Sequence, residues 1–459
     1  MIGYNALTAA DTIVALSTAP GVGAIAVIRL SGPRAFAITE SVFHGKRLAE
    51  QPSHTLHFGT INNAEGVVDE VVAGIFKGPH SYTKEDVVEI SCHGSPYIQQ
   101  QIIELFIAQG ARLAKPGEFT LRAFLNGRMD LSQAEAVADL IASQSAATHH
   151  IALRQMRGGF GNKIKQLRDK LVHFASMIEL ELDFGEEDVE FANRDDLKAL
   201  INELLQVIHG LMESFKLGNV LRHGVSTVIV GRPNAGKSTL LNKLLNEERA
   251  IVSPIAGTTR DTIEETLNID GILFRLIDTA GIREATDAIE RIGVERTYEK
   301  IGSSALIIYL FDVEAMSPEM VEMDVQALNA HDIPLLLVGN KTDILGEAAT
   351  KAKFAHQDML FVSTLMETGL VQLKKALVEK VLGKDLLPDT IVVNARHQEA
   401  LTISHRALSD VLHNLERGTT GDLLALDIRQ ALHALGEITG EITTDDLLDN
   451  IFSKFCIGK

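Results

Sequence analysis

The chain has 459 residues, 46% of them hydrophobic and 23% charged, with a formal net charge of −18 and two cysteines. That length exceeds what one hydrophobic core organises, so about three domains are expected. The acidity works against a protein that coats nucleic acid, and Cys92 and Cys456 are too few for a disulfide framework or a cysteine zinc site.

No apolar run reaches the roughly 20 residues needed to cross a bilayer, and the first residues lack the basic cluster of a secretory leader. The expectation is a reduced, cytoplasmic protein without a membrane partner. One basic run stands out: Arg154, Arg157, Lys163, Lys165 and Arg168. It reads either as a local patch for a large RNA or as a solvated helix face, and the second is the commoner fate of such a run.

Residues 1–121 read as α+β. Short apolar runs at 25–30 and 87–90 are broken by the turns Pro20-Gly21, Gly32-Pro33 and Pro116-Gly117. From 122 to 218 glycines thin out and helical spacing takes over. Ala134, Val137, Ala138 and Ile141 share one face, and Leu171, Phe174, Ile178 and Leu182 repeat the pattern. Residues 219–383 alternate strands with helices, the signature of a parallel sheet. A linker containing Pro388 follows, and from Ile391 the chain is helical again, so 384–459 reads as the second helical segment. The α/β unit thus reads as an insertion between two helical segments that pack as one domain.

The strongest chemical signal is Gly231-Arg-Pro-Asn234-Ala235-Gly236-Lys237-Ser238-Thr239, between an apolar strand at 225–230 and a helix at 239–245. Glycines let such a loop wrap a phosphate chain, while its N–H groups and the helix N-terminus face the anion. Lys237 would reach the β/γ-phosphates and the Ser238 hydroxyl would ligate Mg²⁺. A second element, Asp278-Thr279-Ala280-Gly281, ends the strand at 272–277. An acid there can hold Mg²⁺ through water, and Gly281 can donate its N–H to the γ-phosphate.

The third element, Asn340-Lys341-Thr342-Asp343, follows the strand at 334–338 and decides the base. Asp343 can accept hydrogen bonds from guanine N1–H and its 2-amino group. Adenine offers neither donor and would leave a carboxylate unpaired. Lys341 would lie along the purine, with Ser363 closing the pocket. Three such motifs in this order specify a GTP-hydrolysing P-loop domain.

Hydrolysis poses a gap. Ile282 follows Gly281, and an aliphatic side chain cannot orient the attacking water where many GTPases use glutamine. Asn234 and the segment Ser253-Pro-Ile255-Ala-Gly257-Thr258-Thr259-Arg260-Asp261 offer oxygens suited to a hard monovalent ion, and Thr259 is a further Mg²⁺ ligand. The plainer reading makes Asn234 a turn residue and the threonines loop caps.

Together with Ile255-Ala-Gly-Thr-Thr-Arg-Asp261, Asp278-Thr-Ala-Gly-Ile-Arg-Glu284 and the terminal Phe455-Cys456-Ile457-Gly458-Lys459, the phosphate loop closely resembles the tRNA-modification GTPase MnmE (TrmE) family. The likeness extends through Ser81-Tyr82-Thr83, Glu85-Asp86, Pro116-Gly-Glu-Phe-Thr120, Arg122-Ala-Phe-Leu-Asn-Gly-Arg128 and Asp130-Leu-Ser-Gln-Ala-Glu-Ala136. It covers essentially the whole chain.

The resemblance implies an N-terminal tetrahydrofolate-binding and dimerisation domain, a helical domain in two segments and an inserted Ras-like G domain. It implies a homodimer that joins the FAD-dependent MnmG (GidA) protein in a heterotetramer. Together they would place an aminomethyl or carboxymethylaminomethyl group on C5 of the wobble uridine of certain tRNAs. The one-carbon unit would come from 5-formyl- or 5,10-methylene-tetrahydrofolate. Hydrolysis in the family is stimulated by potassium and by juxtaposed G domains, without an arginine finger.

By that resemblance, Asn234, the carbonyls of Ser253 and Ile255, and Thr258 match potassium ligands, and Ser238 and Thr259 match Mg²⁺ ligands. Glu290 matches the acid that orients the hydrolytic water through other waters. Arg29, Glu89 and Arg128 match folate contacts, joined by Lys459. Each of these charges could otherwise be a surface group or a strand ion pair. Cys456 matches a residue proposed to join the chemistry, and a thiol beside a lysine is a usable nucleophile or a pocket wall. Lys84 and Ser95 stand where many relatives have glycine, and Arg128 where lysine is common.

A ribosome-assembly GTPase of the Era or Der type would share the G-domain motifs. An Era-type chain would continue into a basic KH module with a Gly-x-x-Gly loop, whereas this one continues into acidic helices.

Overall fold

The computed structural model describes residues 11–183, 193–248, 265–277, 302, 304–329, 333–355, 359–382, 390–417, 419 and 421–459. In chain order the first elements are β1 (Ile13–Leu16), β2 (Ile25–Ser31), α1 (Ala35–Glu40), β3 (Phe43–His44), β4 (Thr55–Asn63), β5 (Gly66–Phe76) and β6 (Val87–His93). Next come α2 (Pro96–Ala108), β7 (Arg112–Leu113), α3 (Glu118–Leu125), α4 (Leu131–Ala142), α5 (Ala146–Met156), α6 (Gly159–Asp183) and α7 (Arg194–His223). The nucleotide-motif region holds β8 (Val225–Val230), α8 (Lys237–Glu248), β9 (Glu265–Ile269), β10 (Ile272–Leu276), β11 (Leu306–Asp312), α9 (Pro318–Asn329) and β12 (Leu335–Asn340). It continues with α10 (Thr342–Leu345), α11 (Glu347–Lys353), β13 (Leu360–Phe361) and α12 (Leu370–Leu382), before α13 (Ala395–Glu416), α14 (Gly421–Thr439) and α15 (Asp445–Phe452).

The chain divides into two compact units. One comprises Met1–Ala138, Gln155–His173 and Leu432–Lys459, the other Asp139–Arg154 and Phe174–Ala431. The first is built on a seven-stranded sheet in the order β3-β4-β5-β6-β2-β1-β7. Its long strands alternate buried and open positions, so one face supplies Ile28, Leu30, Val71, Ala73, Ile75, Val88 and Ile90 to a core capped by Ile102 and Phe106 of α2. Register pairs Arg29 of β2 directly with Glu89 of β6.

A charged cluster lies inside this unit. The Arg122 side chain is 0% exposed and donates to Asp11 (2.6 Å) and to Glu118 (3.1 Å), with Glu85 also within 3.3 Å. Arg112 donates to Asp11 and Glu118 as well. Burial alone pushes the Glu118 carboxyl up. The Arg112 and Lys115 donors and the Arg122 charge more than offset this and hold it below the usual carboxylate value.

The second unit holds a six-stranded sheet, β13-β12-β11-β8-β10-β9, parallel except for β9. Strand β8, Val-Ser-Thr-Val-Ile-Val, is β-branched at all but one position and almost wholly buried, as a central parallel strand requires. Helix α7 starts where the Asn193 side chain accepts from the N–H groups of Asp195 (2.9 Å) and Asp196 (3.4 Å). It carries acids in its first turn and Arg222 and His223 in its last, matching the helix dipole at both ends.

The helical segments before and after the G domain do meet. The Val392 N–H donates to Ser214 Oγ at 3.1 Å, and His209 of α7 faces His405 of α13 with ring centroids 6.3 Å apart. The fold class read from the sequence therefore stands: an N-terminal α+β part, a helical part from two separated segments, and a P-loop GTPase insert.

The basic run is divided. Arg154 lies in the last turn of α5, Gly158 breaks the chain at φ 84°, Lys163, Lys165 and Arg168 lie in α6, and Arg168 pairs with Glu441. No described helix is long and apolar enough to cross a membrane.

Candidate functional site

The phosphate loop runs from the end of β8 into α8, which begins at Lys237 rather than at the expected 239. Gly236 has φ 96°, and a Cβ there would lie 2.3 Å from the Asn340 Nδ2, so only glycine fits. Asn234 also has a positive φ, 62°, which asparagine tolerates better than most residues, and its side chain is exposed. Strain of that kind concentrates at functional sites. The Lys237 Nζ donates to the carbonyls of Gly231 (2.7 Å) and Arg232 (3.0 Å), folding the ammonium over the loop. Burial lowers its pKa, which favours exchange of those carbonyls for an anion. Ser238 and Thr239 follow in the first turn of α8, and Ala235 is buried.

The segments expected to recognise the base converge on this loop. Asn340 is 0% exposed. Its side chain donates to the Ala235 carbonyl (2.8 Å) and accepts from the Thr364 N–H (3.1 Å), tying three loops together. Lys341 adopts φ 67° and its Nζ is 2.7 Å from Asp312 Oδ2. Asp343 accepts a short hydrogen bond from the Ser363 hydroxyl. Ser363 also accepts from the Met366 N–H at 3.1 Å, which holds the loop after β13 in place. Asn234, Ala235, Gly236, Lys237, Asn340, Lys341, Asp343 and Ser363 thus lie in one set of connected loops.

Sequence reading missed several supports. Arg232 pairs through Nε (3.0 Å) and Nη2 (3.0 Å) with Asp324 of α9, and the Tyr309 hydroxyl donates to the same carboxylate at 2.6 Å. Burial and that hydrogen bond raise the Tyr309 pKa. Asp312 and Thr364 were likewise unseen. These partners sit 92 and 24 positions from the motifs they support, so no local spacing betrays them. Ser253, Ile255, Thr258, Thr259, Asp278, Thr279, Ala280, Gly281 and Glu290 lie outside the described residues.

A second group of candidates gathers in the first unit. Arg29 Nη2 lies 2.8 Å from Glu89 Oε1, and its guanidinium stacks over Tyr82 (5.3 Å) and Phe119 (5.6 Å). The chain terminus is held against it. The Gly458 carbonyl accepts from Ser17 Oγ (3.3 Å) and Arg29 Nη1 (3.5 Å), and the Gly117 N–H donates to the Cys456 carbonyl (3.3 Å). Gly458 has φ 94°, and a Cβ on it would lie 2.2 Å from the Leu16 carbonyl oxygen. Burial, then the Arg29 charge, lower the Lys459 pKa, while Glu89 opposes them. Cys456 is exposed, whereas Cys92 is buried and its thiol pushed up to about 11 by burial and Asp69. Arg128 is exposed just beyond α3, and among the described residues no hydrogen bond or ion pair joins it to Arg29, Glu89 or Lys459.

Comparison with known proteins places these sites in context. A family described as the MnmE helical domain matches residues 131–456, and one described as the GTP-binding protein TrmE N-terminus matches residues 12–128. The tRNA modification GTPase MnmE of Cytophaga hutchinsonii is 58% identical over 450 residues, covering 98% of either chain. The protein of the same name from Christiangramia forsetii is 53% identical, over 98% of this chain and 99% of its own. Among solved structures, Aquifex aeolicus Era is 27% identical over 40% of this chain and 66% of its own, with a TM-score of 0.27, too low to argue from.

Proposed function

This chain belongs to the tRNA modification GTPase MnmE family and hydrolyses GTP, and we propose that it couples potassium-stimulated hydrolysis to folate-dependent modification of the wobble uridine. In this reading it acts in the cytoplasm as a homodimer with the FAD-dependent MnmG (GidA) protein and tRNA. The pair adds an aminomethyl or carboxymethylaminomethyl group to uridine C5, drawing its one-carbon unit from 5-formyl- or 5,10-methylene-tetrahydrofolate. The domains are residues 1–121 for folate and dimerisation, 122–218 and 384–459 for the helical domain, and 219–383 for the G domain.

At the nucleotide, Lys237 and the loop N–H groups bind the phosphates, and Asp343, Lys341 and Ser363 hold guanine. Ser238 and Thr259 are the Mg²⁺ ligands. Asn234, Thr258 and the carbonyls of Ser253 and Ile255 suit K⁺, because all are oxygen donors, as a hard cation prefers. Support within the described residues comes from Asn234, whose carboxamide is exposed on the phosphate loop. Bound metal ions supply positive charge against the phosphates. Glu290 orients the attacking water, the role that Ile282 cannot fill.

The observation that carries the folate reading is the docking of the chain terminus on Arg29, beside its pair with Glu89. Glu89 can accept from the pterin 2-amino and N3–H groups, while Arg29, Arg128 and Lys459 can hold carboxylates. In this reading Cys456, whose carbonyl accepts from the Gly117 N–H, borders the folate site. Mass spectrometry of tRNA nucleosides from cells with and without the gene tests the whole reading. Loss of C5-aminomethyl-type uridines, restored by the wild-type protein but not by Glu89→Ala, is expected. Unchanged nucleosides would leave the GTPase without this role.

A further inference from the structure

Within the second unit lies a cavity of about 360 Å³ that none of the nucleotide motifs uses. Its floor is apolar: Ile151 of α5, Leu273 of β10 and Val393, all buried. Its rim is charged. Arg222 and His223 end α7, Arg275 projects from β10, and Asp139 of α4 is the one carboxylate among them. A volume of this order, an apolar floor and a few convergent polar groups are the common features of small-molecule sites.

The rim charges are held in place. Arg222 Nη2 donates to Asp139 at 2.6 Å and Nη1 to the Val393 carbonyl at 3.3 Å. Arg275 Nη1 donates to the His223 carbonyl at 3.2 Å. Among the described lining residues two guanidiniums stand against one carboxylate, in a chain whose net charge is −18. Burial and those two guanidiniums together lower the His223 pKa, with Asp139 opposing. Burial, the larger cause, disfavours any charge there, whereas the Arg222 and Arg275 guanidiniums favour an anion over a cation at the same spot.

We propose that this cavity is an effector site for a small organic anion with a flat apolar body. The body lies on Leu273, Ile151 and Val393, and the acid group meets Arg222 and Arg275. Its position gives it a route to catalysis. Strand β10 ends at Leu276, two residues before Asp278, and the hairpin it forms with β9 is already gripped by α5, where the Ala147 N–H donates to the Gly271 carbonyl at 3.0 Å. A ligand bridging α7 and β10 braces that hairpin, whose second strand leads toward Asp278.

The test uses 2-naphthoate titrated into the full chain by calorimetry, with the neutral 2-naphthamide and inorganic phosphate as controls. Saturable binding of naphthoate is expected, weaker by about tenfold or more for the amide, since a hydrogen bond to a charged group is lost. Ala142→Trp, an exposed position on the cavity wall, should abolish binding while leaving the melting temperature unchanged. Arg222→Gln should weaken it. Saturating naphthoate should change the GTP hydrolysis rate of the wild type and not of Ala142→Trp. Absence of binding, equal binding of the amide, displacement by phosphate alone, or undiminished binding to folded Ala142→Trp would each overturn the site. Binding without any change in hydrolysis would overturn its effector role.

Discussion

The side-chain amide of Asn340 donates to the carbonyl of Ala235 at 2.8 Å, so the end of β12 holds the loop between β8 and α8. A buried asparagine with both ends paired is a cross-brace. Replacing it by alanine leaves the Ala235 carbonyl and the Thr364 N–H without these partners, at about 1–3 kcal/mol for a buried unsatisfied group. Asn340→Ala should therefore weaken GTP and GDP alike by roughly 10- to 100-fold. Titration with a fluorescent guanine nucleotide measures it. Loss confined to GTP would contradict the brace.

Asp343 should govern the choice of base. Asp343→Asn replaces an acceptor oxygen with a donor, which opposes the guanine 2-amino group and complements the 2-oxo group of xanthine. The variant should lose GTP affinity and gain affinity for xanthosine triphosphate. Competition binding with both nucleotides decides this, and unchanged preference would displace Asp343 from the base.

Potassium dependence should rest on Asn234. Because its φ is 62°, alanine there would add strain to the lost carboxamide. Asn234→Gly keeps the backbone and removes only the ligand. Wild type should hydrolyse GTP faster in potassium than in sodium at equal ionic strength, and Asn234→Gly should hydrolyse equally slowly in both. A variant that kept the potassium response would remove Asn234 from the ion. In the same assay Glu290→Ala should spare binding and slow turnover.

Acid should loosen the first unit through Glu118. Its folded pKa lies below 4.5, so its contribution is present above that value and is lost as pH falls through the lower folded one. Glu118→Gln removes one of the three carboxylates facing the fully buried Arg122 and should cost about 1–3 kcal/mol at neutral pH. It should also flatten the fall in stability below about pH 4.5. Melting curves across pH 3–7 give both readings.

Lys84 has φ 60° and donates from Nζ to the Gly127 carbonyl at 2.9 Å. Lys84→Ala removes the hydrogen bond and keeps the strain, whereas Lys84→Gly relieves the strain. The glycine variant should exceed the alanine variant in stability by about 1 kcal/mol. Equal melting temperatures would show the turn to be unstrained.

The nucleotide chemistry was legible from the chain alone, because phosphate and guanine recognition rest on short contiguous stretches whose backbone conformation is local. Gly236, Lys237, Asn340 and Asp343 were named from the chain alone, and the structure brings them into one set of connected loops. The order of α+β, helical and parallel-sheet regions was legible too, since side-chain periodicity is a local property. What held those stretches together was not. Asp324 grips Arg232 from 92 residues away, and Gly458 reaches Arg29 across 429. The cavity edged by Arg222 and Arg275 takes its shape from α4, α5, α7 and β10 at once. Contacts of that range depend on how elements pack, and packing is decided by the complementarity of whole faces rather than by any run of residues.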